Sequence, residues 1–146
     1  MNLFQSNAIV KYGPGIKVVA EIDQGISDFY RSLIPKYYCV KSQAYPAHIT
    51  IVRLNKETPK NLEYWLKYEG KKISYFYSHI IQNDDNYFWL NAYSEEIGDI
   101  REELGLPRFR DDTLYGGVKR KEYHITIGNC KKITVPKQDD PLTLGA

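Results

Sequence analysis

Five apolar residues, Ile26, Phe29, Tyr30, Leu33 and Ile34, recur at the i, i+3, i+4, i+7, i+8 spacing of one helical face, and Pro35 ends the run. The spacing predicts an amphipathic helix over residues 25–34. Residues 45–53 instead alternate apolar and polar side chains with period two, as a strand with one buried face does. Ahead of the helix, Ala8-Ile9-Val10 and residues 16–22 read as short strands on either side of Gly13-Pro14-Gly15, a turn signal. Thr58-Pro59 predicts the start of a second helix, with Thr58 as N-cap and with Leu62, Trp65 and Leu66 turned inward.

The second half repeats this plan. Residues 72–82 and 87–93 are extended and aromatic, and Asn83-Asp84-Asp85-Asn86 between them predicts a hairpin turn and an antiparallel pair. Ser94 reads as the cap of a helix lined by Ile97, Ile100 and Leu104 and ended by Gly105 and Pro107. Residues 123–128 predict the last strand. The polar, glycine-containing segment 109–121 reads as a functional loop, and the tail after about residue 136 has too little apolar content to fold by itself. The elements add up to one domain over residues 1–146, of α+β class, with two lobes of similar make-up.

Composition narrows the class of partner. At 146 residues, 42% apolar and 26% charged, the chain is long enough to bury a core, and a net charge of +2 is too mild for bulk DNA or RNA binding. Nothing approaches the roughly 18 consecutive apolar residues of a membrane span, and no leader precedes the first elements, so the reading is a soluble protein with no membrane partner. Cys39 and Cys130 lack CxxC spacing and partner histidines, so neither a disulfide framework nor a zinc knuckle is indicated, and a reducing cytoplasm fits best.

The sharp signal is a repeat. Of three histidines, two head the same tetrapeptide, His48-Ile49-Thr50-Ile51 and His124-Ile125-Thr126-Ile127, and a tyrosine precedes each (Tyr45, Tyr123). On a strand, His48 and Thr50 share one face, as do His124 and Thr126, while the isoleucines point into a core. Each copy thus offers an imidazole and a hydroxyl about 7 Å apart on a rigid platform, and two platforms facing each other would form a cleft with pseudo-twofold symmetry. One neutral and one protonated imidazole are the minimum apparatus for phosphodiester cleavage by concerted acid and base, with the threonine hydroxyls donating to non-bridging phosphate oxygens. No metal or other cofactor is implied, because His-x-His and His-Glu-x-x-His spacings are absent and no Cys or carboxylate falls inside either motif. Gly128, two positions after Thr126, would leave room for a phosphate or sugar. His79 lacks a following Thr and reads as a structural strand histidine. Arg108, Arg110 and Lys119-Arg120-Lys121 precede the second motif, where they would draw in an anion, and Tyr115-Gly116-Gly117 would set a ring over a base.

A pair of His-x-Thr-x motifs in such a domain resembles the two-histidine phosphoesterase superfamily, over about residues 45–129. The run from Met1-Asn2-Leu3-Phe4 through Val10-Lys11-Tyr12, then Glu21-Ile22-Asp23-Gln24-Gly25 and Tyr45-Pro46-Ala47-His48, is similar to the bacteriophage anti-CBASS nucleases of that superfamily. The resemblance implies a bilobal fold, two antiparallel sheets with flanking helices around a central cleft. It also implies hydrolysis of the 3′–5′ bonds of cyclic di- and trinucleotide messengers in the host bacterial cytoplasm, countering anti-phage defence. His48, Thr50, His124 and Thr126 carry over as the catalytic set, and Tyr12 as an aromatic contact to the cyclic oligonucleotide ligand. Family members cover the ligand with C-terminal residues, whereas this tail ends Leu142-Thr143-Leu144-Gly145-Ala146 without an aromatic. Two alternatives remain open: action on RNA 2′,3′-cyclic phosphates or 2′–5′ oligoadenylates, and a non-catalytic cyclic-nucleotide sponge.

Overall fold

A computed structural model describes residues 2–109 and 122–130. In chain order these form β1 (Leu3–Tyr12), β2 (Val18–Glu21), α1 (Gln24–Ser32), β3 (His48–Val52), β4 (Lys72–Asn83), β5 (Tyr87–Tyr93), α2 (Glu95–Glu103) and β6 (Tyr123–Asn129). Each half therefore runs strand, strand, helix, strand. The six strands close into one antiparallel barrel in the order β1-β2-β3-β6-β5-β4. Exchanging the two halves returns the same order, so the ring has pseudo-twofold symmetry about the junction of β3 and β6. Tyr115, Arg110, Lys119-Arg120-Lys121 and the C-terminal tail lie outside the described residues.

This ring overturns the bilobal arrangement of two sheets around a central cleft. β3 pairs directly with β6 at Ile49 and Ile125, and β1 pairs with β4 from Leu3 and Ser78 to Ile9 and Lys72. Period-two alternation tells which face of a strand is buried but not which strand lies beside it. Closure gives every strand two neighbours and leaves no long open edge.

Local chemistry explains both helices. Asp23 caps α1, its carboxylate accepting from the Gly25 N–H at 2.8 Å, and Ser94 caps α2, its hydroxyl accepting from the Ile97 N–H. The helix expected from Thr58 is absent. Only a short 3₁₀ turn, Leu62–Tyr64, forms, and Leu62 and Leu66 are 58% and 55% exposed. The chain is held otherwise. Lys60 and Asn61 donate their backbone N–H groups to Leu104 O at the end of α2, Trp65 packs on Tyr12, and Gly70 donates to Val10 O. These anchors hold Asn61 outside helical geometry and put Leu66 at a φ of 70°. Ile49, Ile51, Ile125 and Ile127 are fully buried with Val10, Val18, Leu90, Ile97 and Leu104, and α1 packs on β6 while α2 packs on β3 and β4.

Each histidine motif ends in a β-bulge at its second isoleucine. Along β3, Val18 pairs with Val52 and Val19 with Thr50, which skips Ile51; along β6, Phe88 pairs with Gly128 and Trp89 with Thr126, which skips Ile127. The extra residue reverses the phase of all that follows, so Gly128 is buried and turned away from Thr126's face. It leaves no room for a phosphate. A Cβ there would meet Val40 Cγ1 and lie 2.9 Å from Lys41 O, where residue 41 exchanges backbone hydrogen bonds with Asn129. Gly128→Ala should therefore lower stability by about 1–3 kcal/mol, read as a shifted urea midpoint with unchanged slope. An unshifted midpoint would show that residue 40 can move aside at no cost.

Candidate active site

The pairing of Ile49 with Ile125 fixes the arrangement of both motifs. One step to either side, antiparallel register sets His48 opposite Thr126 and Thr50 opposite His124. The pairings of β2 and β5 extend the two rows to Glu21-His48-Thr126-Trp89 and Val19-Thr50-His124-Asn91. The imidazoles are thus diagonal neighbours on adjacent strands, with backbones about 7–8 Å apart. They do not face each other across a cleft. Between them lies a pocket of about 100 Å³ lined by His48, Thr50, His124, Thr126, Tyr123 and Arg101. At about 30 Å³ per water it has room for roughly three, a volume on the scale of one phosphoryl group.

Each histidine is oriented by its surroundings. His48 Nδ1 lies 2.7 Å from Pro46 O, and since a carbonyl can only accept, Nδ1 carries hydrogen and Nε2 is left to take or give a proton. The His124 ring lies 5.5 Å from the Trp89 ring, and Trp89 Nε1 donates to Asn91 Oδ1 at 3.2 Å. Among the described residues, Trp89 thus borders the His124 imidazole and not that of His48. Burial pushes the Tyr123 phenol up to about 12, and its hydroxyl donates to Arg108 O at 2.8 Å, so it lines the pocket as a neutral group.

Arg101 is the residue that motif reading passed over. Its side chain is 1% exposed, and Nη1 donates to Ile51 O at 2.6 Å and to Glu57 Oε1 at 3.1 Å, Nη2 to Glu57 Oε2 at 2.7 Å, and Nε to Pro107 O at 2.8 Å. The carbonyl it meets belongs to the bulged residue of β3. Arg31 of α1 does the same for β6, with Nη1 donating to Ile127 O at 3.1 Å. A signal was available, because Arg101 falls on the apolar stripe Ile97, Ile100, Leu104 of α2, where a cation needs a buried partner.

Other expected site residues lie elsewhere. Tyr12 packs edge-on against Trp65 at 5.0 Å and its hydroxyl accepts from the Tyr68 N–H, and it is not among the residues lining the pocket between the histidines. Arg108 is already committed to Glu95, to Asp99 at 2.8 Å and to Glu102 at 3.0 Å, which corrects its reading as an anion lure. His79 sits on β4 beside Phe4. Among the described residues no three His, Cys, Asp or Glu side chains converge as metal ligands, and no helix is long and apolar enough to cross a membrane. Comparison with protein-family models, with curated proteins and with solved structures returns no match for this chain.

The Arg101–Glu57 pair makes stability depend on pH. Burial would raise the Glu57 carboxyl, but hydrogen bonds from Arg101 and the Arg53 N–H, with both positive charges, outweigh it and hold the group below its ordinary 4.5. A depressed folded value stabilises the fold above the unfolded value and loses that contribution as pH falls through the folded one. Urea midpoints taken from pH 7 down to 3 should therefore fall more steeply for wild type than for Glu57→Gln. Arg101→Met, which strands a buried carboxylate, should cost about 3–5 kcal/mol at pH 7, and adding Glu57→Gln should return part of it. Parallel acid limbs would remove Glu57 from this account.

Proposed function

We propose that the protein is a metal-independent phosphodiesterase that acts in the cytoplasm on the 3′–5′ bonds of cyclic di- and trinucleotides, as do the anti-CBASS nucleases it resembles. The observation that carries this reading is the β3–β6 register, with two imidazoles and two hydroxyls around one phosphate-sized pocket. In the reaction, one histidine takes the proton of the ribose 2′-hydroxyl as O2′ bonds to phosphorus. The other gives a proton to O5′ as the P–O5′ bond breaks. A 2′,3′-cyclic phosphate and a free 5′-hydroxyl result. Water then opens the cyclic phosphate with the two roles exchanged. Thr50 and Thr126 donate to the non-bridging oxygens, where negative charge grows.

The test is a panel of cyclic di-AMP, cyclic di-GMP and a cyclic trinucleotide, with 2′,3′-cyclic AMP and 2′–5′ triadenylate alongside, incubated with the protein in EDTA and resolved by chromatography. Cyclic 3′–5′ substrates should be cut, and cleavage confined to either of the last two would move the activity to RNA ends or 2′–5′ bonds. Binding without any cleavage would make the protein a sponge. His48→Ala and His124→Ala should each lose roughly 10²- to 10⁴-fold in rate while keeping the wild-type circular dichroism spectrum. Wild-type turnover in either variant would end the acid–base pairing.

Turnover needs one protonated and one neutral imidazole, so kcat/KM should describe a bell against pH with both limbs set by the histidine pair. Each single variant should lose one limb in its residual rate. Activity that vanished with chelator and returned with zinc or manganese would instead mean metal chemistry.

A further inference from the structure

A second, larger pocket lies beside the first. It holds about 490 Å³, within the range of small-molecule sites, and its lining includes Lys11, Lys17, Tyr45, Arg53 and Lys56. His48 and Thr50 line both pockets, so the two cavities are neighbours that share that pair. One end is sized for a phosphoryl group and the other for something several times larger.

The chemistry of the larger pocket is specific. Tyr45 precedes β3 and is 67% exposed, and the Lys17 ammonium lies 5.6 Å from its ring centroid, a cation held against one face of an open aromatic. Glu21 is the pocket's single carboxylate, against four cations. Lys11 is paired with Glu21 at 2.8 Å and Arg53 lies 3.5 Å from Glu57, which leaves Lys17 and Lys56 without a carboxylate partner among the described residues. A ligand that satisfies this lining is flat, anionic and joined to a phosphate reaching His48. Those are the properties of a nucleotide.

We propose that the pocket beside His48 is a nucleotide subsite, with a base stacked on Tyr45 and further phosphate charge met by Lys17 and Lys56. The assignment rests on the phosphodiesterase reading for what happens at the phosphate, but not for the binding itself. Base stacking on an aromatic tolerates every base, so the subsite accepts purines and pyrimidines alike. Its position also makes the twofold-related histidines unequal. His48 borders the bound nucleoside, whereas His124 borders Trp89.

Calorimetric titration of the full chain with AMP, CMP and inorganic phosphate at fixed ionic strength tests the subsite. Both nucleotides should bind more tightly than phosphate. Tyr45→Ala should weaken AMP and CMP by roughly ten- to a hundredfold, Tyr45→Phe should change them little, and neither variant should alter phosphate binding. Lys17→Ala should weaken all the anions and flatten their salt dependence. Equal affinity of wild type and Tyr45→Ala for AMP overturns the subsite, as does a loss confined to AMP, which would mean hydrogen-bonded readout of one base. The two readings fail separately. Histidine-dependent cleavage with an unaffected Tyr45→Ala KM leaves the enzyme standing and removes the subsite, while tyrosine-dependent AMP binding without histidine-dependent cleavage does the reverse.

Discussion

Two buried carbonyls, those of Ile51 and Ile127, are the points on which the rest of the structure turns. Each belongs to the extra residue of a β-bulge and is left out of its ladder. A buried carbonyl without a partner costs about 1–3 kcal/mol, and each is met by an arginine from the helix of the opposite half, Ile51 by Arg101 and Ile127 by Arg31. The helices therefore reach across: α1 packs on β6, and α2 packs on β3 as well as on β4 of its own half. Without the bulges the arginines would have no acceptors there, and without the arginines the bulges would carry a buried defect. The pair fastens the halves together beneath the catalytic candidates, and Asp28 and Glu57 hold the two guanidiniums at 2.6 and 2.7 Å.

The bulges also define the polar strip above the core. Before each bulge, His and Thr face away from the buried isoleucines; after it, the phase reverses and Val52 and Gly128 turn inward. The strip is thus two residues wide on each strand, and the β3–β6 pairing lays the two strips side by side. Strands hold such groups more rigidly than loops do. His48 gains further constraint from Pro46 O, so its ring atoms are ordered before any ligand arrives.

Much of this was legible in the chain and some was not, for reasons that particular residues make plain. Local signals held where local chemistry decides: Ser94 caps α2, the hairpin turns at Asp84, whose carboxylate accepts from the Asn86 and Tyr87 N–H groups, and the alternation around His48 marks a strand. Signals failed where a distant partner decides. Thr58-Pro59 has the local form of a helix start, but the chain is anchored at Leu104, Tyr12 and Val10. Tyr12 precedes a turn, and its ring packs edge-on against Trp65, a partner that no local signal names. Two sheets and one ring have the same alternation. Gly128 looked like open space because a bulge one residue earlier cannot be read from composition.

A duplicated motif gives two chemically matched groups. A matched pair can still hold a single proton between them, because a proton on one imidazole disfavours a second on its neighbour, so duplication by itself permits one acid and one base. Differences between the surroundings of the two rings must come from outside the repeated tetrapeptides. Here they do: the β2 neighbour of His48 is Glu21 and its ring is bonded to Pro46 O, while the β5 neighbour of His124 is Asn91 and its ring lies on Trp89. The carboxylate on the His48 side is itself bonded to Lys11 at 2.8 Å, so what distinguishes the two sides is their lining and shape. The larger pocket lies on the Glu21 side as well, so lining and cavity break the symmetry in the same direction. The fold supplies two equal platforms, and the flanking strands give them unequal surroundings.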